Sequence, residues 1–250
     1  ESYWRFLFLF GFLTSLIGLY FRISCLKERN IALPPSSAQK SSEPLRIIVM
    51  IGILATGILS YVTYYIPFVL MNSLIPNITD FSYNLMLEWN SILLAFDCVA
   101  LFIFSFWIKN KYFAPMLFGA LGIILITCPL LSSISSDSSL NSIVITRFAI
   151  VFFGVIFCLP LSHFVHSISP PPHGYLIYSM SYGLGIELFG RSTPLIGTLL
   201  YCYSGNTVLL SFYLAFWAIL SFIALILLST NKAKINGTIV NQVTNTIVAQ

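Results

Sequence analysis

Ionised side chains stand near the middle of apolar sequence at two places in this chain. Asp97 lies at the centre of the run Leu85–Ile108, and Glu187 and Arg191 lie near the middle of Tyr175–Tyr201. A stretch of about 20 apolar residues is long enough to cross a bilayer. A charge at that depth costs roughly 2.5–3.5 kcal/mol on insertion scales, so it faces protein or water and points to a functional role by default. Glu187 and Arg191 stand at i and i+4, the favourable order for an ion pair within one helix. Two readings follow: a self-neutralising structural pair, or a substrate or proton site. Asp97 has no opposite charge nearby in sequence and reads as a proton-coupling carboxylate, a partner for Arg191, or an acid kept neutral by burial. Helix rise puts Asp97 and Arg191 within about 5 Å of the same depth, so Asp97 is expected to approach the Glu187–Arg191 pair. Tyr61, Tyr64 and Tyr65 cluster at helical spacing. They offer an aromatic surface for a quaternary ammonium or prolinium through cation–π contact, or simple core packing.

Other chemistry is missing from the pattern. The cysteines Cys25, Cys98, Cys128, Cys158 and Cys202 form no metal-ligand spacing, and most fall in or beside apolar runs, where they read as small buried hydrophobes. His163, His166 and His173 lie near a proline-rich connector and read as solvated positions. No nucleophile motif, zinc motif or phosphate loop is present, so the chain is read as no enzyme, with neither cofactor nor metal.

The elements that must carry these residues follow from composition. Of 250 residues 58% are hydrophobic and 8% charged, against about 25% charged in soluble domains. This predicts an all-α membrane protein embedded in a lipid bilayer. The net charge of +4 comes from short loops and does not point to nucleic acid. The apolar runs are Tyr3–Ile23, Leu45–Met71, Leu85–Ile108, Tyr112–Leu131, Ile143–Val165, Tyr175–Tyr201 and Thr207–Leu228, which predict seven transmembrane helices. Arg147 sits one turn inside its run and reads as a snorkelling side chain.

Glycines and Pro194 complete the reading of the charged helix. Gly183, Glu187, Gly190, Pro194 and Gly197 recur at helical spacing, which predicts that the ion pair shares a packed face with small residues. Lys and Arg are concentrated in the loop after the first run (Lys27, Arg29, Lys40), the loop after the third (Lys109, Lys111) and the tail (Lys232, Lys234). The positive-inside rule then places the N-terminus outside and the C-terminus in the cytoplasm. Residues 1–24 are a transmembrane helix, 25–44 a cytoplasmic linker, 45–229 a six-helix unit and 230–250 a disordered cytoplasmic tail.

Several stretches resemble one family. Tyr182 to Pro194, YGLGIELFGRSTP, resembles the eleventh helix of the major facilitator superfamily, through Tyr182, Phe189, Gly190 and Pro194. The branch it resembles is the metabolite:proton symporters, including proline/betaine transporters. The opening YWRFLFLFGFLTSLIGLYFR is similar to the family's sixth helix, through Gly18, Leu19, Tyr20 and Arg22, and Tyr64–Leu70 to its seventh. The resemblance covers roughly residues 2–228. It implies helices six to twelve of a twelve-helix carrier in the inner (plasma) membrane, joined to a preceding N-terminal half. It also implies proton symport of a small zwitterionic solute or organic acid. Departures go with it: Lys109 stands where the family has a gating Asp, Arg191 where it has Gly, and Gly183 where it has Asn. The alternative expectation is therefore a truncated, transport-inactive remnant. A seven-helix receptor is the reading that the helix-eleven residues oppose.

Overall fold

The computed structural model describes residues 43–108, 112–168 and 174–248, together with Phe12, Leu16, Ile17 and Tyr20. Contacts divide the chain into two units, Glu1–Lys40 and Ser41–Gln250. In the first, the four described residues are helical; the remainder of the first apolar run and the expected linker lie outside the described residues. Everything below concerns the second unit.

The described residues of this unit are helical, with turns between helices and no strand. Helix α1 (Glu43–Tyr65) runs through a π turn (Ile66–Leu70) into α2 (Met71–Ile78). Helix α3 is Tyr83–Trp107. Helix α4 (Phe113–Gly122) passes through a second π turn (Ile123–Thr127) into α5 (Cys128–Ser132). Helix α6 (Leu140–Cys158) is followed by α7 (Leu161–Ile168), and α8 (Gly174–Gly185) by a third π turn (Ile186–Gly190) and α9 (Thr193–Ser204). Helix α10 is Val208–Val248.

Among the described residues, five helices are long and apolar enough to cross a membrane: Ile47–Ile78, Tyr83–Trp107, Phe113–Ser132, Leu140–Ile168 and Val208–Thr230. This is the make-up of a membrane protein. The sixth expected span is broken instead. Arg191 and Ser192 form a turn between the third π turn and α9, ahead of Pro194. Proline lacks the N–H that would continue the ladder, and its ring crowds the preceding turn.

Local chemistry sets the other boundaries. The Ser82 hydroxyl accepts from Leu85 N–H, and that of Ser139 from Ser142 N–H, so each serine caps a helix start. Gly205 ends α9 at φ +68°, with its N–H on Tyr201 O at 2.8 Å, the left-handed stop that glycine adopts without a steric penalty. Two boundaries differ from expectation. The segment Asn72–Ile78, past the end of the expected run Leu45–Met71, is helical, because the Asn72, Ser73 and Asn77 side chains bond to carbonyls of the preceding turn and do not compete with the helix. The tail, read as disordered, continues α10 to Val248.

Helix α1 is the central element. Its Ile53, Ile58, Leu59 and Val62 have no exposed surface, and it packs against α10, α8 and α6. Ser221 Oγ on α10 donates to Ala55 O at 2.9 Å. The broken segment α8–α9 runs parallel to α1: Tyr182 lies against Gly57, Gly185 against Leu54 and Ile58, Gly190 against Tyr61, and Gly197 against Leu70. Helix α3 is peripheral. It touches the bundle mainly through α6 and α2 and leaves Phe102, Phe106 and Trp107 exposed.

Candidate solute-binding cavity

A cavity of about 380 Å³ opens between α1, α3, α6 and α8. Ligand sites in helical bundles sit between helices and run to roughly 300–1,000 Å³. Helix α1 supplies Ser60, Tyr61, Thr63 and Tyr64, with Phe68 from its π turn. These residues recur at one, three and four positions and so share one helix face. Helix α3 contributes Asp97 and Leu101, and α8 contributes Tyr182. The wall from α6 is Val151, Gly154, Val155 and Cys158, at steps of three, one and three and so again on one helix face.

Asp97 is half-buried, and it lies within electrostatic range of Tyr64 and Cys158. Among the described residues it has no ion-pair partner. A carboxylate without a counter-ion, bordered by aromatic faces, favours a cation. Tyr64 packs on Phe68 with ring centroids 4.7 Å apart, and Tyr65 meets it edge-on at 5.9 Å. Tyr61 and Tyr65 are tilted at 6.0 Å. Tyr65 therefore stands behind the wall and buttresses the two tyrosines that form it. Tyr182 reaches the cavity because its ring seats on Gly57, where an added Cβ would lie 2.9 Å from the ring. The site has a carboxylate, phenols and small hydroxyls: the means to hold an ammonium group and to exchange a proton.

The other charged candidates lie elsewhere. Arg191 pairs with Glu187 at 3.2 Å, but the two side chains are 59% and 55% exposed. They do not share the packed face with Gly190 and Gly197, and Asp97 takes no part in the pair. The π turn accounts for this. Arg191 N–H reaches back five residues to Ile186 O at 2.8 Å, so an extra residue is accommodated and the phase slips between Glu187 and Gly190. Gly183, on the same side as Glu187, has nothing within 4 Å of an added Cβ.

Arg147 is the main correction. It does not snorkel: it is 2% exposed and its guanidinium is held by three helical elements. Nε donates to Pro67 O at 3.1 Å in the first π turn, and Nη2 donates to Asn72 Oδ1 at 2.8 Å on α2 and to Asn90 Oδ1 at 2.7 Å on α3. The sequence held one signal for this. Asn72, Asn90 and Arg147 each stand one or two turns from loops that lack Lys and Arg, hence at one end of the bundle. No family model matches the chain, and no curated protein or solved structure matches it either.

Proposed function

We propose that the chain is the C-terminal part of a secondary carrier of the major facilitator type, with seven membrane helices counted from the N-terminal run, in the plasma membrane. In this reading it moves a small zwitterionic solute or organic acid, proline- or betaine-like, together with protons, and works with a preceding half of the carrier. The observation that carries the reading is the cavity in which the Asp97 carboxylate stands among Tyr61, Tyr64 and Tyr182. Asp97 would hold the ammonium or accept the coupled proton, and the rings would contact the methylated or ring face of the solute. Glu187 and Arg191 would border the other half of the carrier, since an exposed ion pair at membrane depth is unfavourable against lipid. The departures at Lys109 and Arg191 support the second reading, a remnant that inserts and binds without transporting.

The test is ligand binding by the purified chain in lipid nanodiscs, followed by tyrosine fluorescence. Glycine betaine and tetramethylammonium should bind saturably, and Asp97→Asn should weaken both about tenfold or more. Equal affinity in Asp97→Asn, or no binding by the parent chain, overturns the reading. In liposomes with a proton gradient the chain alone should accumulate neither proline nor betaine, because carriers of this type bind substrate between two repeats. Uptake restored by adding a preceding half separates a working carrier from a remnant.

A further inference from the structure

Arg147 carries a charge that its surroundings do not balance. The guanidinium has five N–H donors. The bonds from Nε and Nη2 all go to neutral oxygens, those of Pro67, Asn72 and Asn90. Nη1 is buried and has no hydrogen-bond partner among the described residues. Among the described residues no carboxylate lies within 4.0 Å of Arg147; the side chains of Glu88 and Asp137, on α3 and in the loop before α6, are exposed. A guanidinium stays charged in proteins. An ion taken out of water requires pairing as well as hydrogen bonds, and this one has hydrogen bonds only.

We infer that Arg147 Nη1 binds a compact monovalent anion, a halide or a carboxylate. One unpaired nitrogen with two N–H groups balances a single charge, and the two asparagine carbonyls on Nη2 leave only the Nη1 side for it. Arg147 does not itself line the cavity, but two residues beside its contacts belong to the cavity. Phe68, next to Pro67, and Val151, one turn along α6 from Arg147, both form its wall. Asn90 and Asp97 stand seven residues apart on α3, two turns and about 10 Å along one face. Asn90, which holds Arg147, and Asp97 thus lie on one face of α3. The anion comes from one of two sources, free halide or the carboxylate of a dipolar solute, which share a single negative charge. The inference does not depend on the carrier reading.

The experiment is thermal unfolding of the full chain in detergent at fixed ionic strength. The anions are chloride, acetate and, as a bulky control, morpholinoethanesulfonate. Chloride or acetate should raise Tm saturably, by about 5–10 °C at a hundredfold excess over Kd, and the sulfonate should not. A rise with chloride alone assigns the site to halide, and a rise with acetate assigns it to a carboxylate; each supports the inference. Asn90→Asp places a carboxylate against Nη2 and supplies the missing counter-ion within the protein. Its Tm should match or exceed that of the parent chain in chloride and should no longer depend on the anion. Asn72→Asp should behave alike and serves if Asn90→Asp folds poorly. A parent Tm equal in all three anions, or an aspartate variant that keeps the full anion dependence, overturns the inference.

Discussion

The backbone of Gly190 lies against Tyr61, so close that an added Cβ would come within 2.7 Å of the tyrosine Cβ. The third π turn thereby rests on the residue of α1 that forms the cavity wall. A larger residue at Gly190 cannot be absorbed by a flexible side-chain tip, since the contact is at the base of the tyrosine. Gly190→Val should destabilise the fold by about 1–3 kcal/mol, as overpacked sites do, and should weaken betaine binding by displacing Tyr61. Gly183→Ala, with open space around it, should be neutral or gain the roughly 0.5–1 kcal/mol that alanine holds over glycine in a helix. Thermal unfolding and a ligand titration on the two variants check both statements. Equal behaviour of the pair contradicts this contact.

Arg147 and Arg191 should respond to removal to different degrees. Arg147→Met orphans the acceptors at Pro67, Asn72 and Asn90, and a buried polar group without a partner costs about 1–3 kcal/mol. Arg191→Met breaks an exposed pair, worth about 0–1 kcal/mol in solvent. The yield of folded monomer in detergent should therefore fall markedly for the first and little for the second. A larger loss for Arg191→Met would mean that the pair is covered in the folded protein.

Orientation rests on the loops. With the N-terminus outside, single cysteines at Ser136 and Lys111, in a cysteine-free background, should label from opposite sides of the membrane. Ser136 should react with an impermeant reagent in intact cells, and Lys111 should react only after permeabilisation. The reverse pattern places the cavity ends on the other sides.

Much of the fold could be read from apolar run length, because a helix that satisfies its own backbone groups is what such a run must form in lipid. The clustering of Tyr61, Tyr64 and Phe68 on one face follows from local spacing, and Asp97 announces itself as an acid in apolar sequence. Arg147 does not. Its partners lie 57 to 80 residues away, and no window on the sequence pairs a guanidinium with neutral carbonyls on three other segments. The placement of Glu187 escapes for a different reason. Steps of three and four predict one face only while the turn holds 3.6 residues, and the π turn breaks that count inside the stretch being read.

The three π turns have a consequence for how the bundle can vary. At Met71, Cys128 and Arg191 the backbone N–H reaches back five residues, to Ile66, Ile123 and Ile186. Each such turn acts as a coupling between two rods set at different rotations. The rod before the first coupling carries Tyr61 and Tyr64, and the rod after it carries Asn72. Winding Ile66–Leu70 as ordinary helix with every residue kept would spin the second rod by about 100° and leave the tyrosines where they are. The aromatic wall and the arginine anchor thus answer to separate dials on a single helix, and a sequence change on one side of the coupling need not be matched on the other.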